Sequence, residues 1–365
     1  MNKIAAFPGR YIQGQGALKE LSSIIRQFGN KGLILASKTV KDQIIPKFGT
    51  PEIYDIAVIS VFGGECCEEE LNRLAEEIHL QGTNVMIGMG GGKTIDTAKI
   101  AADRANIPVI IIPTIASTDA PCSGCAVAYS PSGVFEKVYY QRSNPAVVLV
   151  DMDIISAAPV RFLVAGMGDA LATWFEARSC FDTHSMNECG GKSTLTGLNL
   201  ARLCWDVLQE HGATAKSDNE KRMVTPALEA ITEANILLSG IGFESGGLAA
   251  AHAIHNGLTA VEDTHAFYHG EKVAFGVLAG LFLTKSKVEE IEEVYTFSET
   301  IGLPTTFSDI GLVNVSKEKL IKIAEKSADE GSSVFHEAVE ITSEKILEAM
   351  IQADTMGISR KSMRN

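Results

Sequence analysis

Residues 84–99 read NVMIGMGGGKTIDTAK, and this stretch decides the fold. Val85, Met86 and Ile87 form a short apolar run of strand type, glycines follow at 88, 90, 91 and 92, and from Lys93 the chain takes up an amphipathic helical pattern. A strand that turns through glycines directly into a helix is the repeating unit of a parallel sheet covered on both faces. The same alternation runs outward on either side. GLILAS precedes KTVKDQIIPKF, IAVISVF precedes EEELNRLAEEIHL, and IPVIIIP and AVVLVD follow. Between Ile115 and Asp151 it is interrupted by CAVAYSPSGVFEKVYY, which reads as two strands around a turn at Pro131, Ser132 and Gly133.

From about Ala158 the character changes. DALATWFEARSC, TLTGLNLARLCWDVLQEHG, VTPALEAITEANILLSGIGF, GGLAAAHAIHNGLTA, KVEEIEEVYTFSETIG, KEKLIKIAEKSADE and ITSEKILEAMIQAD all carry helical periodicity. The expected organisation is an α/β parallel-sheet domain with a hairpin insertion over 1–158 and a helical domain over 159–365.

Composition narrows the function. A formal net charge of -13 opposes nucleic acid or an anionic membrane as principal partner. No run approaches the ~18 apolar residues of a membrane span, and the first residues lack a basic-then-apolar leader pattern. The seven cysteines show no disulfide spacing, and Cys122 with Cys125 reads as small filler rather than half a metal site. A cytoplasmic enzyme acting on small molecules is the expectation.

The glycine stretch fits neither common phosphate-binding pattern. A P-loop ending at Gly92-Lys93-Thr94 would need glycine where Ile87 stands, and G-x-G-x-x-G from Gly88 meets Lys93. A tight turn and a pyrophosphate cradle at a helix N-terminus both remain open. Asp169 sits among small and apolar residues in GMGDALATW, as a cap or a ligand. His252 and His255 are three apart and share a helix face, and His269 follows after a polar loop. An Asp with two His would make a three-ligand set with an open fourth position, as in catalytic zinc sites.

GMGGGKTIDTAK, TIASTDAP, MGDALATWFEA, GFESGGLAAAHAIHNG and HGEKVAFG occur in this order, and with them the chain resembles the iron-containing (type III) alcohol dehydrogenase family, in its glycerol-oxidising branch. The resemblance implies a Rossmann-like nucleotide-binding domain followed by a helical metal-binding domain, the dehydroquinate synthase-like arrangement. It implies metal ligands Asp169, His252 and His269, with Thr173 where many iron-dependent relatives place a further His, which favours Zn²⁺. It also implies a glycerol contact at Asp119 beside His252 and His269, and a supporting or proton-relaying role for His255. The implied NAD contacts are Gly91, Gly92, Lys93 and Asp96 at the pyrophosphate, and Thr114, Ser117, Ser123, Cys125 and Tyr129 toward the nicotinamide. Ser37 stands where relatives often carry a ribose-binding Asp, and with Lys38 it relaxes the bias against NADP; NAD is the expected cofactor. Interconversion of glycerol and dihydroxyacetone by a homo-oligomer, with an octamer as the candidate assembly, completes the expectation. The rivals are a glycerol-1-phosphate dehydrogenase and a dehydroquinate-synthase-like lyase that uses NAD and zinc. Both require several cations near the metal, and the segments around His252 and His269 offer only Lys272.

Overall fold

The computed structural model describes residues 1–364. Its central sheet has strands in the order β1 (Tyr11–Gly14), β8 (Val147–Asp151), β5 (Val109–Pro113), β4 (Val85–Gly90), β2 (Gly32–Ala36) and β3 (Ala57–Val61). Every pairing in it is parallel, with Gly32 opposite Val85 and Met86 opposite Val109. Each residue of β2, β4, β5 and β8 is buried, whereas edge strands β1 and β3 are partly open. That is why the inner strands read as unbroken apolar runs without alternation. Leu18, Leu21 and Ile25 pack with Ile34, Ile87, Ile110 and Leu149 in the core of this layer. The hairpin of β6 (Cys125–Tyr129) and β7 (Phe135–Tyr140) is antiparallel, as its turn residues imply.

Contacts gather the chain into two compact units. The sheet unit comprises Ala6–Phe162 together with Ser217–Gly240. Within it Asp151 is fully buried, caps the helix Met152–Ala157 by accepting from the Asp153 amide at 3.0 Å, and accepts from the Leu18 amide at 2.8 Å.

The helical unit comprises Met1–Ala5, Leu163–Lys216 and the chain from Ile241 onward. Phe175, Trp205 and Phe297 stack in its interior with ring centroids 5.8 and 5.3 Å apart. Its helices approach closely at small residues. A Cβ on Gly270 would lie 1.8 Å from the Ala165 carbonyl oxygen, so only glycine lets the helix His269–Leu283 rest on the helix Val160–Thr183. This contact lies one residue from His269 and one helical turn from Asp169, and it sets their separation. Among the described residues no helix is long and apolar enough to cross a membrane.

Candidate functional site

Three helices of the helical unit deliver one side chain each to a common point. Asp169 comes from Val160–Thr183, His252 from Ala250–Leu258, and His269 opens His269–Leu283. Asp169 Oδ1 lies 3.1 Å from His269 Nε2 and 3.5 Å from His252 Nε2, and a ligand atom from each of the three residues lies within 4.8 Å of the other two. Asp169 is buried, while the His269 side chain is 37% exposed, so the cluster opens on the His269 side. Two imidazole nitrogens and one carboxylate oxygen converging in this way match the donors of a divalent metal with room for a further ligand. Burial alone would raise the Asp169 carboxyl, but the His269 and His252 imidazoles outweigh it and hold it well below the usual carboxylate range.

Each imidazole is fixed from behind. His252 Nδ1 lies 2.5 Å from Glu176 Oε2. His269 Nδ1 lies 3.0 Å from His255 Nε2, whose own Nδ1 is 3.1 Å from Asn256 Oδ1. Burial, with His269 and Lys272 beside it, pushes the His255 pKa well below its ordinary value, which favours the neutral ring. Burial likewise opposes a proton on His252, but Glu176 and Asp169 reverse the balance and raise its pKa. Lys272 is buried and its ammonium is lowered by burial.

The nucleotide-binding candidates belong to the sheet unit. The chain leaves β2 toward β3 and leaves β4 toward β5, in opposite directions, so the carboxyl ends of β2 and β4 form a topological switch point, where open α/β sheets bind ligands. Ser37 follows β2, and Gly91 and Gly92 follow β4 at the start of the helix Gly92–Ala105. No side chain caps this helix, and a Cβ at Gly92 would meet nothing within 4 Å. The glycine is therefore not demanded by protein packing. It leaves open space in front of helix amides, the feature a bound pyrophosphate needs.

The other candidates divide. Lys93 stands at this helix start, with its Nζ 2.5 Å from Glu65 Oε2 and 5.1 Å from the centroid of the Tyr129 ring. Burial and the nearby Asp96 push the Tyr129 phenol up to about 12. Thr114 lies beside the glycine turn, its amide donating to the Gly90 carbonyl at 3.0 Å, and Ser117 is half-buried on the same loop. Asp96 and Ser123, by contrast, are turned inward. Asp96 Oδ2 accepts from the Val127 amide at 3.1 Å, and the Ser123 hydroxyl, 1% exposed, lies 3.2 Å from Lys99 Nζ. Cys125 Sγ is 3.5 Å from the Ser123 hydroxyl. Ser37 Oγ accepts from the Val40 amide at 3.3 Å, and Asp119 Oδ2 accepts from Ser239 Oγ at 2.8 Å.

Glu176 and Lys99 escaped the sequence reading. Glu176 lies two turns after Asp169 on the same helix face, a spacing visible in DALATWFEA. Lys99 is 1% exposed, and its ammonium reaches the Ala120 carbonyl at 2.8 Å and the Cys125 carbonyl at 2.5 Å.

Residues 8–152 match the family described as iron-containing alcohol dehydrogenase. A glycerol dehydrogenase of Thermotoga maritima is 50% identical over 358 residues, 98% of each chain. A glycerol dehydrogenase of Citrobacter freundii is 43% identical over 98% of both chains. The crystal structure of glycerol dehydrogenase from Schizosaccharomyces pombe superposes with a TM-score of 0.94 at 35% identity, covering 100% of this chain and 93% of that one.

Proposed function

The chain belongs to the iron-containing alcohol dehydrogenase family and is an oxidoreductase, and we propose that it interconverts glycerol and dihydroxyacetone with NAD, using Zn²⁺ held by Asp169, His252 and His269. The observation that carries this reading is the convergence of those three donor atoms, in a chain that matches glycerol dehydrogenases along its whole length. Bound there, zinc would supply Lewis acidity that lowers the pKa of a secondary hydroxyl toward neutrality.

The chain's own residues do the rest. His269, on the open side of the cluster, and His252 set the direction from which a diol approaches. His255, neutral and bonded to His269, holds that ring in place. Asp119, whose carboxylate is already oriented by Ser239, would accept a hydrogen bond from a neighbouring substrate hydroxyl. The amides at Gly91 and Gly92, with Lys93, would hold the NAD pyrophosphate. Asp96 and Ser123 serve NAD through the backbone they fix, since their side chains bond inward.

Thr173 supports a three-ligand set. It stands one helical turn after Asp169 and carries no nitrogen donor, so no further imidazole joins the set from that position. A phosphorylated substrate is disfavoured, because Lys272 is buried and the helices Ala250–Leu258 and His269–Leu283 carry no arginine.

The test is glycerol-dependent reduction of NAD by protein as purified, after chelation, and after zinc or iron is restored. Activity lost on chelation and regained with zinc is expected. Full activity and full zinc content in Asp169→Asn would refute the ligand set.

A further inference from the structure

Glu176 is 1% exposed on the helix Val160–Thr183, two turns beyond Asp169. Its two oxygens have different work. Oε1 accepts from the backbone amides of Ala249 at 2.8 Å and His252 at 2.9 Å, at the start of the helix that carries His252. Oε2 faces His252 Nδ1 at 2.5 Å. One carboxylate therefore grips both the backbone and the ring of the same residue.

We infer that Glu176 is the positioning residue of the metal centre: it fixes the position, the ring angle and the tautomer of His252, so that Nε2 presents its lone pair beside Asp169 and His269. The inference rests on the metal reading given above. The logic is that of hydrogen-bond parity. A carboxylate oxygen can only accept, so Nδ1 keeps its hydrogen, and when the ring gives up a proton to a metal it is Nε2 that becomes the ligand atom. A second consequence is charge. Asp169 and Glu176 together bring two carboxylates to a site whose imidazoles bind as neutral ligands, which balances a divalent cation in a buried setting. Asp169 would hold the ion directly, and Glu176 would act through His252.

Glu176→Gln separates this role from simple helix capping. The amide oxygen can still accept from the Ala249 and His252 amides, but the NH₂ group that replaces Oε2 can only donate, which forces the hydrogen of His252 onto Nε2 and blocks the ligand atom. Zinc affinity is read by titrating metal-free protein against a chromophoric chelator, and the thermal midpoint of the metal-free protein reports the capping role. The expected result is zinc binding weakened about 10- to 100-fold, a metal-free midpoint near that of the parent, and partial recovery in Glu176→Asp, which restores an acceptor. Wild-type zinc affinity in folded Glu176→Gln overturns the inference. If Glu176→Gln does not fold, Glu176→Asp carries the test: with its carboxylate drawn back by one methylene it should bind zinc more weakly than the parent, and unchanged affinity overturns the inference. Asp169→Asn in the same titration keeps the two readings apart. If it retains zinc the ligand set itself is wrong, whereas loss of zinc there with none in Glu176→Gln refutes the role of Glu176 alone.

Discussion

His255 Nε2 lies 3.0 Å from Nδ1 of His269, and the two rings meet edge to face with centroids 4.2 Å apart. For His269 to offer Nε2 to a metal, its Nδ1 must carry the hydrogen and donate it to His255. His255 is then obliged to carry its own hydrogen on Nδ1, toward Asn256 Oδ1 at 3.1 Å. On the proposed metal reading the chain of hydrogen bonds has one consistent direction, in which His255 aims His269. Replacing His255 by Phe keeps the packing and removes the acceptor. Zinc affinity should fall about tenfold, in line with the loss of an outer partner of a ligand. If His255 were instead chiefly a proton relay, His255→Phe would bind zinc as the parent does and lose only turnover.

Glu337 predicts a pH effect on stability. It is buried, its Oε1 accepts from the Ala250 amide at 3.1 Å and its Oε2 from Ser179 Oγ at 2.6 Å. Burial, aided by the charge of Glu176, raises its pKa from 4.5 to about 7 against the pull of those two donors. A carboxyl raised in the folded state binds its proton more tightly there than in the unfolded chain. Its stabilising contribution is complete below pH 4.5 and is lost as the pH rises through about 7. Glu337→Gln, a neutral isostere, should match the parent in unfolding free energy near pH 4.5 and exceed it at pH 8, by on the order of 3 kcal/mol at most. Denaturant titrations at both pH values check this, and an equal difference at the two would contradict it.

The parts of this molecule that could be read from the sequence are those governed by local pattern. The β4 run, its glycines and the helix after them follow from period and backbone freedom, and so does the hairpin around Pro131–Gly133. Asp169, His252 and His255 stood out as ligand types among small and apolar residues, whereas His269, after a polar loop, joined Asp169 and His252 as a set through the family resemblance. Glu176 did not stand out, although it obeys the same rule, because a glutamate followed by Ala177 and Arg178 reads as the start of a solvated face. Only the packing of a second helix N-terminus against it reveals a buried acid. Lys99 was hidden in the same way within DTAKIAADRA. The residues 217–240 show a further gap: helical periodicity reports that a face is buried but not what buries it, and their association with the sheet unit is a tertiary fact.

Lys99 carries a prediction for the loop that bears the candidate nicotinamide contacts. Its ammonium is shared among the Ala120 carbonyl, the Ser123 hydroxyl and the Cys125 carbonyl, and so ties residues 120–125 to the helix Gly92–Ala105. Lys99→Met fills the same volume and removes the charged donor these groups share, leaving the Ser123 hydroxyl, 3.3 Å from the Ala120 carbonyl and 3.4 Å from the Cys125 carbonyl, to serve both in a buried place. The unfolding free energy should drop by about 2–4 kcal/mol, and the KM for NAD should rise while that for glycerol changes less. Lys99→Arg should not rescue it, since a planar guanidinium cannot point at acceptors arranged around an ammonium. Denaturant unfolding together with steady-state kinetics measures both effects, and wild-type values in Lys99→Met would show that the loop holds itself.

Ser37 bears on the choice of nucleotide. It follows β2 at the switch point of the sheet, and its Oγ accepts from the Val40 amide at 3.3 Å. An aspartate there can make the same bond, because a carboxylate oxygen accepts as a hydroxyl does, so Ser37→Asp should fold as the parent. The other carboxylate oxygen would then face the adenosine ribose, where it can accept from a 2′-hydroxyl and repels a 2′-phosphate. Removing the adjacent cation in Lys38→Ala acts in the same sense. The double variant should favour NAD over NADP at least about tenfold more than the parent, an effect worth roughly 1.4 kcal/mol. The ratio of kcat/KM for the two nucleotides is the measurement. An unchanged ratio in a folded, active double variant would mean that the ribose is held by some other part of the sheet unit, and Glu65, already on Lys93 at 2.5 Å, would be the next residue to replace.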